Sequence, residues 1–424
     1  MENYQAYVDI LNNELKPAMG CTEPIAIALC ASKVKDVLGD MPDILEIYVS
    51  GNIIKNVKSV KVPNTGGMVG IKVAAAIGVV AGDSSKELEV IANATKNDIL
   101  KLENYLKEKE LKVIPVDNEH TLYIEIVGKK NNDYAKVIIQ DAHTNISLIE
   151  KNNEVLYVND KEIKLETANI DKSVLNIKEI VQFADSVDLD DVIDVLERQV
   201  EYNMAIAFEG IKGNYGANIG KTLLKYGPDD ITTRCKAMAA AGSDARMNGC
   251  DMPVVINSGS GNQGITCSVP VCEYAKKINA PWDRLYRALV VSNLCTIHIK
   301  NSIGKLSAFC GVVIAGAGAG AGIAYLEGGR ESEISHTIVN ALGIISGVLC
   351  DGAKASCAAK IASSVEAGIL GYYMYKEGNQ FVSGDGFIKK GVENTIKAIG
   401  ELARVGMCET DKEIIQIMMK DTKE

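Results

Sequence analysis

Aromatic side chains are scarce in this chain of 424 residues: they make up 5% of it, and the single tryptophan is Trp282. Basic charge is also in the minority, with 45 Lys and Arg against 55 Asp and Glu and a formal charge of −10. A protein whose main partner is duplex or RNA backbone carries the opposite sign, so nucleic acid is excluded in that role. There is no C-x-x-C pair and no H-x-x-x-H pair, which removes the zinc ribbon and the zinc finger. Met1-Glu2-Asn3-Tyr4 has neither the basic region nor the apolar run of a secretory leader, so a cytoplasmic location is the expectation. With 47% hydrophobic and 24% charged residues, disorder, collagen and a long coiled coil fall away as well. At about 150 residues per domain, the length predicts two or three domains.

Cysteine and glycine are plentiful, with 11 of the first and 38 of the second. An odd count in a long chain without a leader reads as cytosolic thiols, not as a disulfide framework. The thiols are unevenly placed: after Cys21 and Cys30, none occurs until Cys235. The intervening stretch has its own texture. Residues 44–51, 121–127 and 134–139 alternate like half-buried strands, 145–149 and 154–158 are shorter candidates, and 69–81 and 84–109 read as helices, the second capped by Ser84-Ser85. From about residue 175 alternation ends. Residues 188–208 form an amphipathic helical pattern, and small residues then dominate. The expected fold class is α+β. A helical segment over 1–40 packs on the C-terminal part, an α/β domain with a small mixed sheet spans 41–174, and an all-α Gly/Ala-rich domain spans 175–424. Helices packed through Ala and Gly faces account for the shortage of rings.

Leu306–Leu326 has no charge over a length that could cross a bilayer. Its many Gly and Ala residues, and flanks without an aromatic belt or basic cluster, favour a buried central helix, so no membrane partner is expected. Val312–Ala321 also fits a strand entering G-x-G-x-x-A, but no strand ending in an acidic residue follows, and close packing is the preferred reading.

Two loops and one helix start carry candidate chemistry. Asn257-Ser258-Gly259-Ser260-Gly261-Asn262-Gln263-Gly264 can turn several N–H groups inward, where they suit a carboxylate; no Lys-Ser/Thr follows the last glycine, so it is not a P-loop. Pro63-Asn64-Thr65-Gly66-Gly67 has the same character. The plain alternative for both is a turn into a helix. In Lys16-Pro17-Ala18-Met19-Gly20-Cys21-Thr22-Glu23-Pro24, Cys21 precedes a helix start whose dipole is expected to favour its thiolate, and the bland reading is a capping sequence with Thr22 as cap. Cysteines beside polar or glycine-rich turns, namely Cys21, Cys310 and Cys350, are the best metal candidates. Soft thiolates without histidine point to iron–sulfur, although buried cysteine is also a common core residue. His120 and His143 fall in the α/β unit. His298 and His336 fall on helices, where a structural role is the expectation.

Gly20-Cys21-Thr22-Glu23-Pro24, the Ser258–Gly264 loop, Asn301-Ser302-Ile303-Gly304-Lys305 followed by Cys310, and Cys350-Asp351-Gly352-Ala353-Lys354 together resemble the L-cysteine desulfidase family, which is distantly similar to iron–sulfur L-serine dehydratases. The resemblance runs over essentially the whole chain. It implies a [4Fe-4S] cluster on Cys21, Cys310 and Cys350, with one iron left open as a Lewis acid, and conversion of L-cysteine to pyruvate, sulfide and ammonia. Together with the loops and helix start read above, substrate-binding roles are expected for Thr22, Asn64, Thr65, Ser258, Ser260, Gly261 and Asn262. The serine dehydratases carry a serine/histidine-rich sequence where this chain has Cys21-Thr22-Glu23, so no histidine base carries over. Glu23 and Lys305 stand as base candidates. A serine dehydratase and a non-catalytic iron–sulfur or sulfur-binding protein remain the alternatives, and a homodimer is the default assembly.

Overall fold

The computed structural model describes residues 3–117, 120–159, 171–304 and 307–420. The α+β class holds: a six-stranded mixed sheet lies in the N-terminal half, and helices make up the C-terminal half. The strands are β1 Pro17–Met19, β2 Ile44–Ser50, β3 Glu110–Val116, β4 Tyr123–Lys130, β5 Asp133–Gln140, β6 Ile146–Lys151, β7 Glu154–Val158 and β8 Pro253–Val255.

The large sheet has the order β3-β2-β4-β5-β6-β7. Only β2 and β3 run parallel; the other neighbours are antiparallel. Period-two alternation puts Leu45, Ile47, Val49, Ile124, Ile126, Val137 and Ile139 on one face, all fully buried. The register sets Ile47 opposite Ile126, and Ile126 opposite Val137. Helices Thr22–Leu38 and Ile71–Ala81 cover this face. The opposite face carries charge, including the Lys129–Glu46 and Lys136–Glu150 pairs, each at 2.8 Å.

The stretch 84–109 is not one helix. A 3-10 turn, Ser84–Glu89, is capped by Asp83, and the α-helix starts only at Lys96. Thr95 and Asp98 form a capping box there, which outcompetes Ser84-Ser85 as a start signal. Sequence reading also passed over β3, whose Pro115 argues against a strand. The strand lies at the sheet edge, where a missing N–H is tolerated.

In the other half, helix Gly311–Leu326 is central, and every residue from Val312 to Leu326 is buried. Helices Gly261–Lys277, Trp282–Ile303, Glu331–Ile345 and Cys357–Lys376 surround it. Its glycines are contact points, not a nucleotide fingerprint. A Cβ on Gly316 would meet the Ser364 carbonyl oxygen at 2.3 Å, and one on Gly320 would meet that of Gly368 at 2.5 Å. Among the described residues no helix is long and apolar enough to cross a membrane. The expected helix over 188–208 begins later and runs Ile193–Lys212, because Asp188 caps a separate turn, Leu189–Asp191.

Residues 1–40 divide between two cores. Tyr7, Ile10 and Leu11 of helix Tyr4–Glu14 pack with Phe183 and the helical half, whereas Thr22–Leu38 lies in the core under the sheet. The crossing between them is β1, which pairs antiparallel with β8. It delivers Cys21 to the seam between the halves.

Candidate active site

Helix starts build this site. Cys21 is the N-cap of Thr22–Leu38, Cys310 is the N-cap of Gly311–Leu326, and Cys357 opens Cys357–Lys376. Cys21, not Thr22, therefore holds the cap position. Cys350 arrives by a short bridge between Phe309 and Leu349, in which Cys350 N–H donates to Ala308 O at 2.6 Å and Cys310 N–H to Val348 O at 3.1 Å. Two glycines permit the approach. Gly20 has φ +58°, and a Cβ there would strike Pro63 at 2.3 Å; Gly352 has φ +96°, and a Cβ would strike the Lys55 carbonyl oxygen at 2.2 Å.

Cys357 links the thiols. The Cys310 and Cys350 side chains act on each other, and Cys357 interacts with both and with Cys21. The Cys310 thiol, then the Lys55 and Lys300 ammonium groups, hold Cys350 below the usual thiol range, while contact with Cys350 and burial push Cys310 up. Burial pushes Cys21 up to about 12, against a smaller lowering by Arg246. The thiolate expected from the helix dipole is thus overturned: desolvation outweighs the dipole in a residue 1% exposed.

Buried cations complete the setting. Lys55 and Lys300 are 3% and 8% exposed, and burial brings Lys300 down to about 8. Among the described residues no three His, Cys, Asp or Glu side chains close on a single point as ligands of one ion do. A cluster spreads its thiolates over separate irons, and sulfur donors ringed by helix N-termini and buried cations match its anionic charge. Cys21, Cys310 and Cys350 fit such a group.

The Ser258–Gly264 loop adjoins these thiols. Ser258 and Gly259 have positive φ, and Ser260 caps helix Gly261–Lys277 by accepting from Gln263 N–H. Gln263 lies against Gly311, and Thr22 Oγ1 donates to Gly259 O at 3.3 Å. Beside Gly261 lies Arg246, whose Nη1 donates to Asn262 Oδ1 at 3.2 Å. Its Nε is buried without a partner among the described residues. A buried, unsatisfied guanidinium donor next to a helix start is built for a carboxylate. Behind the loop, Asn257 and Gln199 both donate to Asn293 Oδ1 at 2.9 Å, and Asn203 brackets β8 through Val255 N–H and O.

Glu23 accepts from Thr22 Oγ1 at 3.1 Å and from Asn56 Nδ2 at 3.0 Å, with His143 Nε2 at 3.9 Å. Burial alone would raise its pKa, but His143, its own backbone N–H and Thr22 hold it down at about 2.

Asn64 and Thr65 stand apart in their bonding. Asn64 Nδ2 donates to Ile91 O at 3.0 Å, tying the loop to a distant segment, and Thr65 Oγ1 donates to Val62 O at 2.7 Å, within the loop's own backbone. Lys305 lies outside the described residues. Sequence reading missed Arg246, Lys55, Asn56, Lys300, Cys357 and His143. Arg246 had a signal: a charge inside an Ala/Gly run that must be buried. His298 is satisfied by Glu393 at 2.7 Å.

Residues 85–416 match the family described as serine dehydratase alpha chain. The chain belongs to that family. Cys310, Cys350, Cys357, Arg246, His143 and the Ser258–Gly264 loop fall in the matched span, whereas Cys21 and Glu23 precede it. Similarity to curated relatives runs nearly end to end. A UPF0597 protein of Desulfitobacterium hafniense is 55% identical, covering 98% of this chain and 97% of the relative. Those of Lachnoclostridium phytofermentans and Treponema denticola are 48% and 46% identical, covering 98% and 99% of this chain and 100% and 98% of the relatives. The serine dehydratase membership makes this chain one of a lyase family.

Proposed function

We propose that the chain is a carbon–sulfur lyase that eliminates sulfide from L-cysteine, leaving pyruvate and ammonia, with a [4Fe-4S] cluster on Cys21, Cys310 and Cys350. The observation that carries this reading is that Cys357 interacts with Cys21 on one side and with Cys310 and Cys350 on the other, while Arg246, buried with an open donor, acts on Cys21. When bound, the cluster would supply an iron without a protein ligand as Lewis acid for the leaving sulfur. Arg246, with the helix start at Gly261 and Asn262, binds the substrate carboxylate. Ser258 and Ser260 shape that loop, and Thr22 ties it to the thiol side of the seam. Lys55, Lys300 and Arg246 balance the negative charge of the thiolates.

The family description favours a second reading, dehydration of L-serine at the same site. Pyruvate release from each amino acid by anaerobically purified protein decides between them, with a higher kcat/KM for cysteine expected. Iron and acid-labile sulfide are measured in parallel on Cys21→Ala, Cys310→Ala and Cys350→Ala. Each variant is expected to lose the broad visible absorbance of thiolate-held iron together with turnover, whereas Cys357→Ala keeps its iron. A ligand variant that retains full iron and turnover removes its residue from the set, and iron-free wild type that still releases sulfide overturns the reading.

A further inference from the structure

A turn of the sheet brings a histidine to the seam. Between β5 and β6 the chain turns through Asp141-Ala142-His143-Thr144-Asn145, with Asp141 at φ +63°. Hydrogen bonds fix the turn, among them Asp141 N–H to Leu122 O at 3.0 Å, Asn145 N–H to Ala142 O at 3.1 Å and Asn145 Nδ2 to Gln140 O at 2.9 Å. His143, on this turn, reaches the helical half. A Cβ on Gly259 would lie 3.9 Å from its Cε1, so the ring meets the loop that adjoins Arg246. Its Nε2 is buried and has no hydrogen-bond partner among the described residues. The carboxylate oxygen Glu23 Oε1 is 3.9 Å away, too far for a hydrogen bond. Asn56 and Thr22 fix that carboxylate in place.

We infer that His143 is the general base that removes the α-proton, and that Glu23, fixed beside its ring, is a positioning residue. The inference rests on the lyase reading above. In the step, the Cα–H proton passes to His143 Nε2, and the electron pair it leaves forms the Cα=Cβ bond. The Cβ–S bond breaks with its pair on sulfur. The aminoacrylate so formed tautomerises, and one water hydrolyses it to pyruvate and ammonia. A buried ring nitrogen without a hydrogen-bond partner among the described residues, on a ring beside the carboxylate loop, suits this transfer. Glu23 itself is held by two donors and stands beside the nitrogen that takes the proton.

The test uses anaerobically purified full-length protein, with L-cysteine and α-deuterated L-cysteine as substrates. His143→Ala is expected to lose about 10²- to 10⁴-fold in kcat, with KM changed far less and with iron content and circular dichroism unaltered. Its deuterium isotope effect rises, and added imidazole restores part of the rate. Glu23→Gln is expected to fall less in kcat than His143→Ala, again with iron retained. If wild type releases no pyruvate from cysteine or serine, the lyase reading itself fails. If wild type turns over and His143→Ala matches it in kcat and isotope effect, the base assignment fails while the lyase reading stands. Should His143→Ala lose its iron, His143→Gln with the same isotope-effect comparison takes its place, judged by the same outcomes.

Discussion

The two halves of this molecule fill their cores by opposite means. Under the sheet, branched aliphatics such as Leu45, Ile47, Ile124 and Ile126 interlock on a single face. In the helical half, backbones approach so closely that a methyl group at Gly316, Gly320 or Gly368 would overlap a carbonyl. The first core depends on the volume its side chains supply, and the second on volume its residues leave out. Rigid placement follows from the second kind: helices whose axes are fixed by backbone contact present their first residues, Cys310 and Cys357, in set positions.

The sharpest contrast is between deletion and insertion. Ile47→Ala in the sheet core is expected to destabilise by about 2–5 kcal/mol, read as a lower urea midpoint. A change below about 1 kcal/mol would break the comparison, because the sheet would then not depend on side-chain volume. Gly320→Val is expected to cost about 1–3 kcal/mol from overpacking alone, although it adds apolar surface. A neutral or stabilising outcome would mean that the helices can slide apart. The smallest effect concerns pH. Sheet-face pairs such as Lys129–Glu46 are partly exposed and give little. In the helical half, burial works to raise Glu393, but His298 and the Ile177 N–H outweigh it and hold the carboxyl below its usual range. Its contribution is therefore full above the unfolded value of about 4.3 and fades as pH falls through the lowered folded value. Glu393→Gln should flatten the acid slope of the urea midpoint, whereas Glu46→Gln should leave it nearly unchanged.

The same contrast explains what could be read from sequence. Alternation over 44–51, 121–127 and 134–139 is a local signal, and it located the inner strands. The split of 84–109 depended on whether Ser84 or Thr95 capped a helix, which composition does not decide. In the helical half, the expected glycine-rich central helix is present, but periodicity carries no information where every face is buried. Of the proposed site, Cys21, Cys310, Cys350 and the Ser258–Gly264 loop were visible as turns beside helix starts. Arg246 showed only as a charge inside an Ala/Gly run and His143 not at all as a site residue, because their significance lies in an unpaired nitrogen, and that is a property of neighbours brought from elsewhere in the chain.

The pairing of β1 with β8 sets an order of events. Pro17–Met19 leaves the ribosome long before Pro253–Val255, its partner. At ~5–20 residues per second the interval is on the order of tens of seconds, longer than a sheet and its two covering helices need to fold. During that interval Cys21 belongs to a finished N-terminal half while the thiols it will join have not yet been synthesised. The seam is thus the last part of the molecule to be assembled, and a nascent chain arrested before residue 253 would present Cys21, Glu23 and His143 on an open surface.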